Sequence, residues 1–289
     1  MNDRDLIRII TAEEVTSAVE KLFVKANKQL PKYVTDVIGK AKACESCERA
    51  ASVLSILEDN IECAKKHDIP ICQDTGMAVV FVKVGMKVHI TGASLEDAIN
   101  EGVRRAYVGG LLRLSVVEDP LFDRKNTEDN TPAVIHIEMN SDELFADKLV
   151  ITAAPKGFGS ENMSFLKMMT PAANAEDIMD FVIDCIKTAG SNPCPPIFVG
   201  VGIGGNFEKC AYLAKKALLR ETPSKDVRYA ALEERLLEKI NALGIGPQGF
   251  GGDTTALGVM IEHAPTHIAG LPVAVNINCH VARHETVVL

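Results

Sequence analysis

Apolar residues recur at helical spacing from the first turns of the chain. Thr11-Ala12-Glu13-Glu14 has the spacing of a capping box. Val15, Val19, Leu22, Phe23, Ala26 and Leu30 then share one helical face until Pro31 ends the run. The same period predicts a second helix over 33–42 and a third over 48–66, with Val53, Leu54, Leu57, Ile61 and Ala64 turned inward. At Met77 the pattern changes. Residues 77–85 are β-branched and aromatic, the composition of a buried strand, and 86–90 predicts a short one after it. Ser94 then starts a capped helix that runs to Gly109-Gly110.

From 117 to 131 the chain is polar, with Asp119-Pro120 and Asp129-Asn130-Thr131-Pro132. This reads as a loop and a candidate domain boundary, although it lacks the composition of a linker. Strands are predicted over 134–139 and 148–153. A Gly-rich turn, Pro155-Lys156-Gly157-Phe158-Gly159-Ser160-Glu161-Asn162, follows the second and opens a helix. A long helix runs from Asn174 or Glu176 to Gly190, then a strand over 197–201, a helix over 206–219 and a helical stretch over 225–243. Strands over 256–261 and 273–277 close the pattern, with His263 and His267 flanking a turn at Pro265. No internal repeat is visible. The succession predicts a mixed α/β fold: one helix-rich domain over residues 1–289, built around one or two small sheets, with room for two lobes.

Composition narrows the function. Of 289 residues 47% are apolar and 24% charged, ordinary for a soluble globular chain with a full core. The net charge of −8 carries no block of like charges, which argues against nucleic acid or an anionic membrane as partner. No apolar run is long enough to span a bilayer, and Met1-Asn2-Asp3-Arg4-Asp5 lacks a signal core. Eight cysteines without a secretion signal point to a reducing compartment, and the cytoplasm is the expected location.

The cysteines sort into two groups. Cys44, Cys47, Cys63, Cys185 and Cys210 sit in or against helical patterns and read as packing residues; the C-x-x-C at 44–47 has no second pair and no preceding strand. Cys72, Cys194 and Cys279 stand instead at strand edges beside polar or turn-forming residues. Cys72 opens Cys72-Gln73-Asp74-Thr75-Gly76, where Gln73 can donate and accept, Asp74 can hold a charge or a proton, and Gly76 permits a sharp turn. Taken alone, this is equally a buried cysteine before an Asx turn. Cys194 lies in Asn192-Pro193-Cys194-Pro195-Pro196, where three prolines stiffen the main chain around one thiol, as suits a metal ligand. The three are too far apart in sequence for a finger-type site. Three distant thiolates can hold a tetrahedral zinc or an iron–sulfur cluster, and a cubane so held keeps one iron open as a Lewis acid.

Glycines mark three further places. The turn at 155–162 suits a carboxylate or phosphate, or is simply a helix start. Gly200-Val201-Gly202-Ile203-Gly204-Gly205 formally matches the dinucleotide fingerprint, but no second strand completes the βαβ unit. These glycines are expected to let backbone pass close to the site. Residues 244–255 form another Gly-rich turn.

Five motifs in combination resemble one family across nearly the whole chain. They are Ile71-Cys72-Gln73-Asp74-Thr75-Gly76, Leu112-Arg113-Leu114-Ser115, Lys156-Gly157-Phe158-Gly159-Ser160-Glu161, the run from Gly251 to Val259, and the tail from His267 to His280. The family is the class I, iron–sulfur-dependent fumarate hydratases with the related L-tartrate dehydratase α subunits. The resemblance implies a [4Fe-4S] cluster held by Cys72, Cys194 and Cys279. It implies substrate contacts from Gln73, Arg113 and Gly157, with Gly159 equally placed by spacing, and catalytic roles for Asp74 and His267. Single-chain members carry a second domain that this sequence does not. The expectation is therefore an α subunit with a separate β subunit, in an α–α dimer within a heterotetramer, hydrating fumarate to L-malate. Rival readings are L-tartrate dehydration, then a zinc protein, then a non-catalytic subunit.

Overall fold

The computed structural model describes residues 7–289. Strand β1 (Arg8–Thr11) comes first, then the three helices that periodicity predicts, α1 (Ala12–Lys28), α2 (Lys32–Cys44) and α3 (Glu48–His67). Thr11 caps α1 as its spacing requires: its hydroxyl accepts from Glu14 N, and the Glu14 carboxylate accepts from Thr11 N at 2.7 Å. β2 (Val79–Gly85) and β3 (Val88–Thr91) follow, then α4 (Leu95–Gly109) behind its Ser94 cap. β4 (Val134–Asn140) and β5 (Leu149–Ala153) lead to the single-turn α5 (Phe158–Glu161) and to β6 (Phe165–Met169). The remainder is α6 (Ala175–Ala189), β7 (Ile197–Gly205), α7 (Phe207–Ala217), α8 (Val227–Asn241), β8 (Ala256–Thr266), β9 (Leu271–Asn278) and β10 (Glu285–Val288).

The fold is mixed α/β, and the chain divides into two compact units. One takes the residues up to Pro31, Ala64–Lys156 and Arg283–Leu289. Its main sheet has the order β10-β5-β2-β4, with β2 parallel to β4 and antiparallel to β5. Val15, Val19 and Phe23 of α1 and Val103, Ala106 and Tyr107 of α4 share a core with Val80, Val82 and Ile151 of this sheet. The two helices approach at Gly102, where a Cβ would lie 2.7 Å from Thr16 O and from Val19 Cβ. The polar loop at 117–131 lies inside this unit, so the division does not fall there. Asn130, fully buried, draws the end of that loop inward: its Oδ1 accepts from Ser115 N at 2.8 Å and its Nδ2 donates to Gly76 O.

The other unit takes Lys32–Cys63 and Gly157–Ala282, with the sheet order β6-β9-β7-β8. β7 is the central strand, parallel to β8 and antiparallel to β9. Side chains alternate along it. Val199, Val201 and Ile203 join the core formed with Ile178, Val182 and Ile186 of α6 and Leu236 and Ile240 of α8. The intervening positions are glycines, and α7 packs directly on their backbone. A Cβ at Gly200 would stand 2.1 Å from Ala214 O, and one at Gly202 2.1 Å from Cys210 O. The glycine run is thus the interior of a strand that admits a helix, and the backbone it lets approach is that of α7.

Two other expectations change. β8 continues through Pro265 to Thr266, so His263 is a strand residue, stacked on Tyr229 with ring centroids 4.2 Å apart, and the turn begins at His267. Of the cysteines expected to pack, Cys185 and Cys210 are buried and Cys47 half-buried, whereas Cys44 and Cys63 are exposed. Among the described residues, no helix is long and apolar enough to cross a membrane.

Candidate active site

In the first unit the loop from Cys72 to Gly76 is held at Asp74, Thr75 and Gly76. Asp74 Oδ1 accepts from Gly76 N at 2.9 Å, the Asx turn that the sequence allows. Gly76 takes φ +80°, and a Cβ there would lie 2.8 Å from the Lys156 main chain, so only glycine fits. Met77 and Lys156 exchange main-chain hydrogen bonds of 3.0 and 2.9 Å. From α4, the buried Tyr107 hydroxyl reaches the carbonyls of Thr75 and Gly76. Thr75 Oγ1 accepts from Arg113 N at 2.9 Å and donates to Arg113 O at 3.2 Å, which ties the arginine's backbone to the loop. Arg283, itself buried, donates from Nη2 to the Asp74 carbonyl. The outcome is a pinned backbone that presents Gln73 and Arg113 as exposed side chains beside half-buried Cys72 and Asp74.

The second unit's sheet has two ends with different content. At one, β7 begins at Ile197, paired with Ala256 at the start of β8, while Phe198 pairs with Asn278 at the end of β9. Cys194 lies just before β7, Cys279 just after β9, and the 244–255 turn leads into β8. Strand register therefore gathers these segments at one edge. His280 Nδ1 stands 3.1 Å from Cys194 O. With its proton on Nδ1, the ring donates to that carbonyl. The Gly157 turn comes to the same end. β6 pairs with β9 through Phe165 and Val275, and Asn276 Nδ2 donates to Glu161 Oε2 at 2.8 Å and to Ser164 Oγ at 2.7 Å.

His267 is at the opposite end, between β8 and β9, where its Nδ1 accepts from Ala269 N at 3.1 Å. The eight residues of β9 separate it from Cys279, roughly 25 Å of strand. The structure thus gathers Cys72, Gln73, Asp74 and Arg113 in one unit, and Cys194, Cys279 and Gly157 in the other. It leaves His267 at the far end from the second unit's two thiols. Tyr107, Asn130, Gln248 and His280 support these loops, and the sequence reading passed over them. Tyr107 hides as one more apolar position of α4, and Gln248 hides inside a Gly-rich turn.

Among the described residues, none of the eight cysteines forms a disulfide, and no group of three or more His, Cys, Asp or Glu side chains is set to hold a metal ion. What fits an iron–sulfur cluster is the donor chemistry: soft thiols, Cys194 and Cys279 beside strand ends and Cys72 in the loop between α3 and β2.

The profile of the family described as Fumarate hydratase (Fumerase) matches residues 16–288. The chain belongs to the fumarate hydratase family. Like its other members it is a hydro-lyase. A Methanocaldococcus jannaschii protein provisionally named L(+)-tartrate dehydratase subunit alpha is 43% identical over 272 residues, covering 92% of this chain and 94% of that protein. The L(+)-tartrate dehydratase subunit alpha of Escherichia coli strain K12 is 33% identical over 278 residues, covering 96% and 91%. The protein of the same name from Shigella sonnei matches to the same extent.

Proposed function

We propose that the chain is the α subunit of a two-subunit hydro-lyase that adds water reversibly to fumarate, giving L-malate. The observation that carries this reading is that the Cys194 and Cys279 segments lie at one sheet end, where His280, the residue after Cys279, has its Nδ1 3.1 Å from the Cys194 carbonyl. With Cys72 they would hold a [4Fe-4S] cluster. When bound, such a cluster supplies an iron without a protein ligand, a Lewis acid for the substrate hydroxyl.

The chain's own residues handle the rest of the substrate. Arg113, exposed on a pinned backbone, binds one carboxylate as a planar charged donor. Gln73 orients it, and the turn at Gly157 lets a carboxylate approach the main chain. Asp74 and His267 hold and move protons at the neighbouring carbon. Since β9 separates His267 from Cys279, His267 serves the site of a second copy, in keeping with an α–α dimer within a heterotetramer. The relatives' names as alpha subunits support a separate β subunit that completes the site. A cytoplasmic location agrees with eight cysteines outside disulfides. Neither nucleic acid nor membrane is a partner in this reading.

L-Tartrate dehydration is the second reading, favoured by those same names. Anaerobic purification with iron and sulfide analysis, then turnover of fumarate, L-malate and L-tartrate with and without the β subunit, tests both. Zinc in place of iron and sulfide would sink the cluster. Faster turnover of L-tartrate than of either fumarate or malate would hand the assignment to the second reading.

A further inference from the structure

We infer that Gln248 is a positioning residue that fixes the direction of the Cys194 thiol, an inference that rests on the proposed ligand role of Cys194. Cys194 takes φ +54°, a left-handed conformation that a residue with a side chain keeps only where its surroundings impose it. The 244–252 turn imposes it. Gly246 and Gly249 have φ +69° and +79°, and a Cβ at Gly249 would lie 2.5 Å from Ser191 Cβ, so the turn lies against the residue whose carbonyl accepts from Cys194 N at 3.1 Å. Gln248, between them and also left-handed at φ +53°, sends two donors to one acceptor. Its main-chain N and its Nε2 each lie 2.7 Å from Pro195 O. A carbonyl has two lone pairs, and both are used.

His280 holds the preceding carbonyl, that of Cys194 itself. The Gln248 amide lies 3.4 Å from that ring nitrogen and 2.7 Å from Pro195 O, the shorter contact. Two successive carbonyls after the thiol are therefore immobilised, one by each side chain. This gives the Gly-rich turn a purpose that the sequence alone leaves open: its glycines allow Gln248 to reach over the Cys194 loop.

The test uses the full chain, reconstituted anaerobically with iron and sulfide. Gln248→Gly removes the side-chain donor while accepting the left-handed backbone, and Gln248→Glu keeps the length but loses the donor. One neutral hydrogen bond corresponds to about a fivefold effect. In both variants the cluster should be stripped by a chelator about fivefold faster than in the parent chain, and the electron paramagnetic resonance line shape of the dithionite-reduced cluster should change. In the iron-free chain the Cys194 amide should exchange hydrogen about fivefold faster, with the melting temperature lowered by no more than about 4 °C. Unchanged cluster lifetime and unchanged Cys194 exchange in both variants would overturn the inference. A parent chain that takes up no iron or sulfide would overturn the cluster reading instead, while amide exchange still judges the clamp.

Discussion

The Tyr107 hydroxyl donates to the Gly76 carbonyl at 2.9 Å, with the Thr75 carbonyl 3.0 Å away as a second acceptor. A core residue of α4 thereby holds the loop that carries Cys72, Gln73 and Asp74. Burial pushes the phenol's pKa well above its ordinary value, with the Arg283 charge partly opposing that shift, so the donor stays protonated. Because the folded value is raised, the contribution is fully present below about pH 10 and declines as pH rises toward the folded value.

Tyr107→Phe should keep the ring's tilted contact with Phe23 and remove only the donor. Two buried carbonyls then share one fewer partner. Urea unfolding should show a loss of about 1–3 kcal/mol, and kcat/KM of the assembled enzyme should fall by about tenfold as the loop loosens. Full activity with the stability loss would mean that the phenol serves packing alone.

At Gly202 the expected effect is larger. A methyl group there would sit 2.1 Å from Cys210 O, a backbone atom that cannot swing aside. Gly202→Ala should cost about 3 kcal/mol or more, or prevent folding. Gly109, at the end of α4, has nothing within 4 Å of its would-be Cβ, so Gly109→Ala should be neutral or stabilising by up to about 1 kcal/mol. Thermal unfolding of the pair separates close packing from mere helix propensity.

The contrast between these glycines shows what the sequence could convey. Local chemistry was readable: Thr11 with Glu14 forms the capping box its spacing announces, and Ser94 caps α4. The Asx turn at Asp74 and the strand from Val79 also follow from neighbours in sequence. Edge strands did not. β1 buries only Ile10, and β10 alternates between exposed and half-buried residues, so neither carries an apolar signature of its own. The glycine run at 200–205 misleads because a strand that accepts a helix needs the same residue as a loop that accepts a phosphate. Only the pairing partners tell them apart. The meeting of Cys194 and Cys279, and the distance of His267 from both, are properties of register between β7 and β9, which no local pattern encodes.

Thiol reactivity should follow burial. Cys185 and Cys210 are pushed up to about 12 by desolvation, and Cys210 also donates from Sγ to Gly202 O at 3.2 Å. Both stay neutral thiols, and since the shift is upward their burial stabilises the fold below the ordinary cysteine range, with loss only as pH climbs toward the folded value. Iodoacetamide at about pH 8 should label the exposed Cys44 and Cys63 and spare Cys185 and Cys210 until the chain unfolds. Mass spectrometry of peptides from native and urea-treated protein checks this. Early labelling of Cys210 would contradict the seating of α7 on the β7 glycines.

Arg283 places a buried charge beneath the Asp74 loop. It is 4% exposed and donates from Nη2 to the Asp74 carbonyl, while Nε and Nη1 have no hydrogen-bond partner among the described residues. A guanidinium held this way lowers stability, and an apolar side chain of similar size is often neutral or better by a few kcal/mol. If Arg283 is kept for its grip on Asp74, the two effects of replacing it should part company. Arg283→Met should leave urea unfolding unchanged or raise stability by up to about 2 kcal/mol. Turnover by the assembled enzyme should nevertheless drop by about tenfold, because a charge-assisted bond to the loop is gone. Lower stability with undiminished turnover is the result that would make Arg283 a packing residue instead.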